Sequence, residues 1–230
     1  MVDRNEIPVI AIDGPSGSGK GVITWRLARA LGFHILDSGA LYRIIGLAAR
    51  KRGVSFDDEP ALVAVATHMK IEFVPTDHIE NPVTVLLDGE DVSAAIRTDE
   101  AGTDASQVAP IPAVRDAIGD LQRAFKQPPG LVADGRDMGT VVFTDATVKI
   151  YLTASAEARA ERRYKQLIDK GIGVSLHDLF LSIQARDARD MNRKVAPLKP
   201  ADDAVIIDST DLSIDEVFDK VLATVTERLG

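Results

Sequence analysis

The chain has no cysteine and no long apolar run. Without cysteine it can form neither disulfide bonds nor thiolate metal sites, which is compatible with a reducing compartment. No apolar stretch approaches the roughly 20 residues of a membrane span, and Asp3, Arg4 and Glu6 do not fit a signal peptide. The four histidines lack the spacing of metal ligands. We therefore expect a cytoplasmic protein that does not bind a membrane.

The composition is that of an acidic globular protein. Its 230 residues suit one domain, or one domain with an insertion, and 45% of them are hydrophobic, which suffices for a real core. The formal net charge of −8 argues against a broad nucleic-acid-binding surface, although basic residues cluster locally within 159–165 and 186–194. No exposed apolar stripe is evident, so we expect a monomer.

A phosphate-binding loop is predicted near the start of the chain. Residues 9–12 form an apolar run typical of a buried strand, residues 14–20 fit the pattern G-x-x-x-x-G-K, and a helical pattern follows. The glycines let successive N–H groups point inward, and the helix N-terminus and Lys20 add positive charge. Gly21 stands where the strict pattern has Ser or Thr. The alternative is a simple connecting turn, which would not require so many glycines.

Strands alternating with helices predict an α/β fold with a five-stranded parallel sheet covered by helices on both faces. Ligands bind such sheets beyond the carboxyl ends of the strands. The predicted strands are residues 9–12, 33–37, 131–134, 148–152 and 204–208.

The region between the second and third of these strands has a different pattern. Alternating apolar residues predict a small antiparallel insertion at 70–92, with turns at 75–82 and at Asp88-Gly89. Helices are predicted at 94–108 and 111–126.

Helix-capping residues mark three of the other predicted helices. Asp58 would cap one helix, and Ser155 would cap a helix rich in charged residues. Ser213 with Glu216 would form a capping box for the last helix. A second charged helix is predicted at 176–193.

Charged residues after the strands indicate a phosphoryl-transfer site. Asp134 ends an apolar strand, where a carboxylate could hold Mg²⁺ through water. Taken alone it would be interpreted as a solvated loop carboxylate, but beside a phosphate-binding loop the magnesium role is at least as well supported. Two Arg-rich helices joined by a Gly-rich turn, residues 155–193, suggest a lid, although such helices are often merely exposed and laced with ion pairs. Guanidiniums would neutralise the transferring group. The predicted catalytic residues are Lys20, Arg162, Arg186 and Arg189.

Several motifs together resemble the bacterial cytidylate kinase family over nearly the full chain. The matching runs are IDGPSGSGKG at 12–21, LDSGALYR at 36–43, ADGRDMGTVVF at 133–143, RDARD at 186–190 and DST at 208–210. The glycine loop alone would indicate only nucleotide binding, whereas the set is highly specific. In that family glycine follows the loop lysine, so Gly21 is expected.

The resemblance implies a P-loop NTPase fold and transfer of the γ-phosphoryl group of ATP to the small molecules CMP and dCMP, with Mg²⁺. Residues 1–230 would form one kinase domain, and the 70–92 insertion would lie in its monophosphate-binding region. The residues implied for ATP are Gly14, Pro15, Ser16, Gly17, Ser18, Gly19, Lys20, Gly21 and Val22.

The resemblance also implies the residues that bind the acceptor nucleotide. Asp137, Ser106 and Arg115 would recognise cytosine, whose exocyclic amine donates to a carboxylate. Arg186 and Asp190 would hold the ribose hydroxyls. The groups near the phosphate would be Ser38, Arg43 and Arg136, with Arg193 close to the base or the phosphate.

Val22 departs from the family pattern, which usually has threonine at this position. The backbone N–H is kept but the hydroxyl is lost, and Thr24 is one helical step too far round to replace it obviously. The sequence therefore leaves open a nucleotide-binding module of the same fold with weakened catalysis. A kinase for another acceptor, such as UMP or shikimate, is opposed by Asp137 and Ser106 only through the resemblance.

Overall fold

The computed structural model describes residues 7–75, 83–169 and 171–230. The chain divides into two compact units. The first unit consists of the chain up to Leu36 together with the chain from Phe125 onwards, and the second unit is Asp37–Ala124.

The predicted parallel sheet is confirmed. Its strands are β1 (Val9–Asp13), β2 (His34–Asp37), β6 (Leu131–Gly135), β7 (Val148–Thr153) and β8 (Val205–Asp208). They lie in the order β2-β6-β1-β7-β8, and β1 pairs in parallel with both β6 and β7, as β7 does with β8. Every residue of β1 is buried, so the central strand is covered on both faces, which explains its continuous apolar sequence.

The described part of the first unit has four α-helices, and two of them share a core with the sheet. These are α1 (Lys20–Leu31), α6 (Ala156–Asp169), α7 (Leu176–Met191) and α8 (Ile214–Leu229). Side chains spaced three or four residues apart on α1 and α8 pack in one cluster with the apolar strand residues. That cluster includes Ile23, Leu27, Val217, Val221 and Val225, with Ile10, Ile12 and Ile150 from the sheet.

The predicted caps of these helices are confirmed. Ser155 Oγ accepts the N–H of Ala158 at 3.1 Å, and Ser213 and Glu216 form the reciprocal capping box of α8. Helix α7 ends at Met191, two residues before the predicted end.

The second unit contains α2 (Ser38–Lys51), α3 (Glu59–His68), α4 (Asp99–Val108) and α5 (Pro112–Ala124), with α2 packed on α4 and α3 on α5. Its antiparallel sheet, β3 (Ile71–Pro75), β4 (Val83–Leu87) and β5 (Glu90–Asp91), confirms the predicted insertion where it is described. Asp88 and Gly89, both at positive φ, form the predicted turn between β4 and β5. The other predicted turn lies outside the described residues beyond Pro75.

The single helix predicted at 94–108 is wrong. A short 3₁₀ turn (Ala95–Arg97) precedes α4, and Thr98 between them is extended, with φ −75° and ψ 159°. Its hydroxyl accepts the N–H of Ala101 at 3.1 Å, so Thr98 is the N-cap of a new helix. Helix α5 likewise ends at Ala124, two residues earlier than predicted.

Candidate functional site

The loop between β1 and α1 has the geometry that phosphate binding requires. Gly14, Gly17 and Gly19 all have positive φ, which curls the backbone at the end of the central strand. Gly19, the residue before α1, is in the left-handed conformation and makes no side-chain cap hydrogen bond to the helix. Lys20 is buried, and its Nζ donates to the carbonyl oxygen of Pro15 at 2.7 Å. The ammonium therefore lies inside the curl of the loop.

The remaining loop residues differ in exposure. Ser18 is buried, and its hydroxyl has no hydrogen-bond partner among the described residues. Val22 is 48% exposed, so its side chain contributes little to the core. Thr24 is buried on α1, a different environment from that of Val22, as expected from its position on the helix.

The carboxylate of Asp13 shapes the segment that follows β6. It accepts the N–H groups of Met138 and Gly139, each at 2.8 Å, and these residues begin a five-residue π-helical turn, Met138–Val142. This turn comes directly after Asp137, which is itself buried. Asp13 therefore fixes the backbone next to a predicted substrate-binding residue.

Two predicted site residues, Arg136 and Arg193, bind a third, Asp190. Asp190 is 1% exposed, and its two carboxylate oxygens bind Arg136 Nε, at 2.9 Å, and the guanidinium of Arg193. The carboxyl ends of β6 and α7 are thereby joined. Asp134 is also buried, and its Oδ2 lies 3.7 Å from the point that a Cβ on Gly21 would occupy. Its carboxylate is therefore beside the start of α1.

The three arginines predicted to be catalytic differ in their contacts and in their exposure. Arg162 donates to Ser209 Oγ at 3.2 Å and to the carbonyl oxygens of Ser209 and Thr210, so it holds α6 to the turn after β8. On α7, Arg186 is half-buried and Arg189 is exposed. The catalytic roles of all three stay predictions.

The second unit holds the other four predicted substrate residues. Ser38 Oγ accepts from Gln122 Nε2 at 2.8 Å, and Arg43 folds back towards Gly39 at the start of α2. Arg115 Nη1 donates to the Tyr42 hydroxyl at 3.1 Å. Ser106 donates to the carbonyl oxygen of Gly102 at 3.0 Å.

A family model for cytidylate kinase matches residues 10–227 of the chain. The chain belongs to the cytidylate kinase family. A cytidylate kinase of Vibrio vulnificus is 54% identical to it over 98% of this chain and 99% of its own length. Cytidylate kinases of Pseudomonas fluorescens and Pseudomonas syringae pv. syringae are 56% and 57% identical, each over 96% of this chain and 96% of the relative.

The family motifs supplied the predicted substrate residues but not the side chains that bind them. Gln122, which binds Ser38, carried no signal in the sequence, and Tyr42, which binds Arg115, lay in the matching run 36–43 without a predicted role. Asp13 had a weak sequence signal, because it is a carboxylate at the end of a buried strand. In the described parts of this cytidylate kinase family member, no helix is both long and apolar enough to cross a membrane.

Asp13 makes the stability of the protein depend on pH. Burial raises the pKa of its carboxyl from 3.8 to about 6, against the lowering effect of the Gly139 and Met138 hydrogen bonds. Since the folded pKa is above the unfolded one, the folded state binds the proton more tightly. This contribution is fully present below about pH 4 and is lost as the pH rises through about 6. A shift of about two units corresponds to roughly 3 kcal/mol.

The measurement is denaturant unfolding of the wild type and Asp13→Asn between pH 4 and 7.5, without nucleotide or Mg²⁺. We expect the free energy of unfolding of the wild type, minus that of the variant, to fall by about 2–3 kcal/mol up to pH 6.5 and then level off. Asp203→Asn is the control, because Lys149 lowers the pKa of Asp203 and the corresponding difference should not fall. A difference that stays constant for Asp13→Asn would contradict the prediction.

Proposed function

We propose that the chain transfers the γ-phosphoryl group of ATP to CMP and dCMP, giving CDP and dCDP. The observation that carries the proposal is the glycine loop closed around buried Lys20, in a chain that matches cytidylate kinases over nearly its whole length. The alternative of a nucleotide-binding module with weakened catalysis rests on Val22 alone and is not favoured.

The donor nucleotide would bind at the loop. Its phosphates would accept from the curled N–H groups and from the first turn of α1, and Lys20 would meet the β- and γ-phosphates. The residues proposed for this contact are 14–22.

The residues beside the phosphate-binding loop fit a bound Mg²⁺ ion. Mg²⁺ keeps several waters and is held by one or two carboxylates together with substrate phosphates. Asp134, buried beside the start of α1, is such a carboxylate, and it would hold the ion through water. Across the described ranges no three His, Asp or Glu side chains cluster to form an all-protein metal site. The ion would neutralise charge on the phosphates and orient them.

Residues proposed for the acceptor nucleotide occur in the first unit and, separately, in the second. In the first unit, Arg136 would contact its phosphate and Asp137 would accept from the cytosine amine. In the second unit, Ser106 and Arg115 are the residues that the family resemblance proposes for cytosine. Arg186 and Asp190 would bind the ribose hydroxyls. Asp190 also holds Arg136 and Arg193, so it would position those cations whether or not it contacts the sugar.

Transfer needs positioning and electrostatic stabilisation more than a covalent nucleophile. The transition state spreads negative charge over the equatorial oxygens of the phosphoryl group. Lys20, Arg162 of α6, and Arg186 and Arg189 of α7 would neutralise that charge, and the proposed lid formed by these two helices would exclude water.

A substrate panel tests the proposal. Purified protein with ATP and Mg²⁺ is offered CMP, dCMP, UMP and AMP, and the diphosphates are quantified by chromatography. We expect CDP and dCDP, with kcat/KM for CMP at least about tenfold above that for UMP or AMP, because the carboxylate and Arg contacts match cytosine. No CDP above a no-enzyme control would contradict it.

The same panel with Val22→Thr separates the kinase from the weakened module. The backbone N–H at this position is the same in both proteins, and the side chain of Val22 is half exposed. We therefore expect kcat for CMP to change by less than about tenfold. A rise of several orders of magnitude would mean that the natural protein is not a working kinase.

A further inference from the structure

Arg159 is a buried cation that the proposed phosphoryl transfer does not use. It lies in the first turn of α6 and is 3% exposed. Its Nη1 donates to the carbonyl oxygen of Ser16 at 2.9 Å, and its stem lies against Gly17, with Cβ 3.5 Å from where a Gly17 Cβ would be. Arg159 therefore packs directly on the phosphate-binding loop.

Asp187 of α7 binds the same guanidinium with both carboxylate oxygens. Oδ1 accepts from Nη1 at 3.0 Å and Oδ2 accepts from Nη2, while Nε donates to the carbonyl oxygen of Ala154 at 2.9 Å. The planar guanidinium can donate hydrogen bonds in all of these directions at the same time, whereas the compact ammonium group of a lysine cannot. One side chain thus joins the end of β7, α6, the loop and α7.

The position of Asp187 in the sequence gives this pair a link to the proposed acceptor site. Asp187 lies between Arg186 and Arg189, and three residues before Asp190, which holds Arg136 and Arg193. The side chain of Arg159 is 4% exposed and that of Asp187 is 14% exposed, so this ion pair is largely shielded from water, and a shift of the loop at Ser16 would act on α7 through the guanidinium.

We infer that Arg159 and Asp187 are positioning residues that hold the phosphate-binding loop and α7 in fixed register, so that affinity for ATP depends on a residue of α7. The inference rests on the proposed function, because it takes ATP as the ligand of the loop. Neither residue is required to contact ATP.

A pair that only stabilised the fold would act differently. Its loss would lower the melting temperature and leave the affinity of the folded protein for ATP unchanged. The decisive readout is therefore the Kd for a non-hydrolysable ATP analogue with Mg²⁺, measured by calorimetry well below the melting temperature of each variant.

The variants are Asp187→Asn, Arg159→Met, their double variant and Arg159→Lys. We expect Asp187→Asn and Arg159→Met each to weaken binding about tenfold or more, and the double variant to be no weaker than Arg159→Met alone, because the residues act as one unit. Arg159→Lys keeps the charge and should be intermediate. The control is Asp178→Asn, which removes the same charge from an exposed residue in the first turn of α7 and should bind within twofold of wild type.

Two results would overturn the inference. One is a folded Asp187→Asn whose Kd stays within twofold of wild type, and the other is a double variant whose loss is the product of the single losses. If Asp187→Asn does not fold, Arg159→Lys decides, since unchanged affinity in that variant overturns the inference too.

Failure of the proposed function gives a separate result. A wild type that binds the analogue but leaves CMP unchanged would contradict the kinase activity. It would leave the measured coupling between α7 and the loop intact.

Discussion

Lys20→Ala should lower kcat for CDP formation by about a thousandfold or more, the size of effect found when a preorganised transition-state contact is removed. Lys20 is 6% exposed, and its ammonium lies inside the loop, bound to the carbonyl oxygen of Pro15. A fixed cation in a buried site interacts with phosphate far more strongly than one in water. No other lysine lies in the loop.

The assay is steady-state CDP formation with saturating ATP, CMP and Mg²⁺, on protein whose folding is checked by circular dichroism. Lys165→Ala is the matched control, because it removes an exposed lysine from α6 and should keep kcat within about twofold. A folded Lys20→Ala within tenfold of wild type would rule out this role for the lysine.

Gly14→Ala should lower the free energy of unfolding by about 3 kcal/mol or more, and should abolish tight binding of the ATP analogue. A Cβ at Gly14 would lie 2.0 Å from the carbonyl oxygen of Leu152, and the φ of Gly14 is +151°. The obstacle is the backbone of the neighbouring strand β7, which cannot turn aside as a side chain could. Either the loop or the strand must move.

Alanine variants at two other glycines separate the cost of backbone strain from the cost of the steric collision. Gly32 also has positive φ, +69°, but nothing lies within 4 Å of its Cβ position, so Gly32→Ala should cost only about 1–2 kcal/mol. Gly173 has an ordinary φ and open space, so Gly173→Ala should be neutral. Urea denaturation of the three variants is the measurement. The collision argument is wrong if Gly14→Ala costs no more than Gly32→Ala.

The sheet and the phosphate loop could be predicted because their signals are local. Continuous apolar runs mark buried parallel strands, and the loop is fixed by glycines and a lysine within a few positions of one another. Where two local signals competed, the prediction failed. At residues 94–108 the apolar pattern suggested one helix, but Thr98 prefers an N-cap and starts a new one.

The partners inside the candidate site could not be predicted, because they are distant in sequence. Asp13 and Met138 are 125 positions apart, and Arg159 and Ser16 are 143 apart. No periodicity indicates which buried carboxylate will meet which backbone amide. The family resemblance supplied the substrate residues, but Gln122 and Tyr42, which hold two of them, appear only in the folded chain.

The placement of β1 between β6 and β7 has a consequence for biosynthesis. Val9 pairs with Leu131 and Ile10 with Val148, so the ribosome makes the central strand long before either neighbour. Until β6 leaves the exit tunnel, a nascent chain carries the glycine loop on a strand that has no partners, with its apolar residues open to chaperones. Closing so distant a contact is slow. The nucleotide pocket is thus expected to be among the last parts of this enzyme to mature.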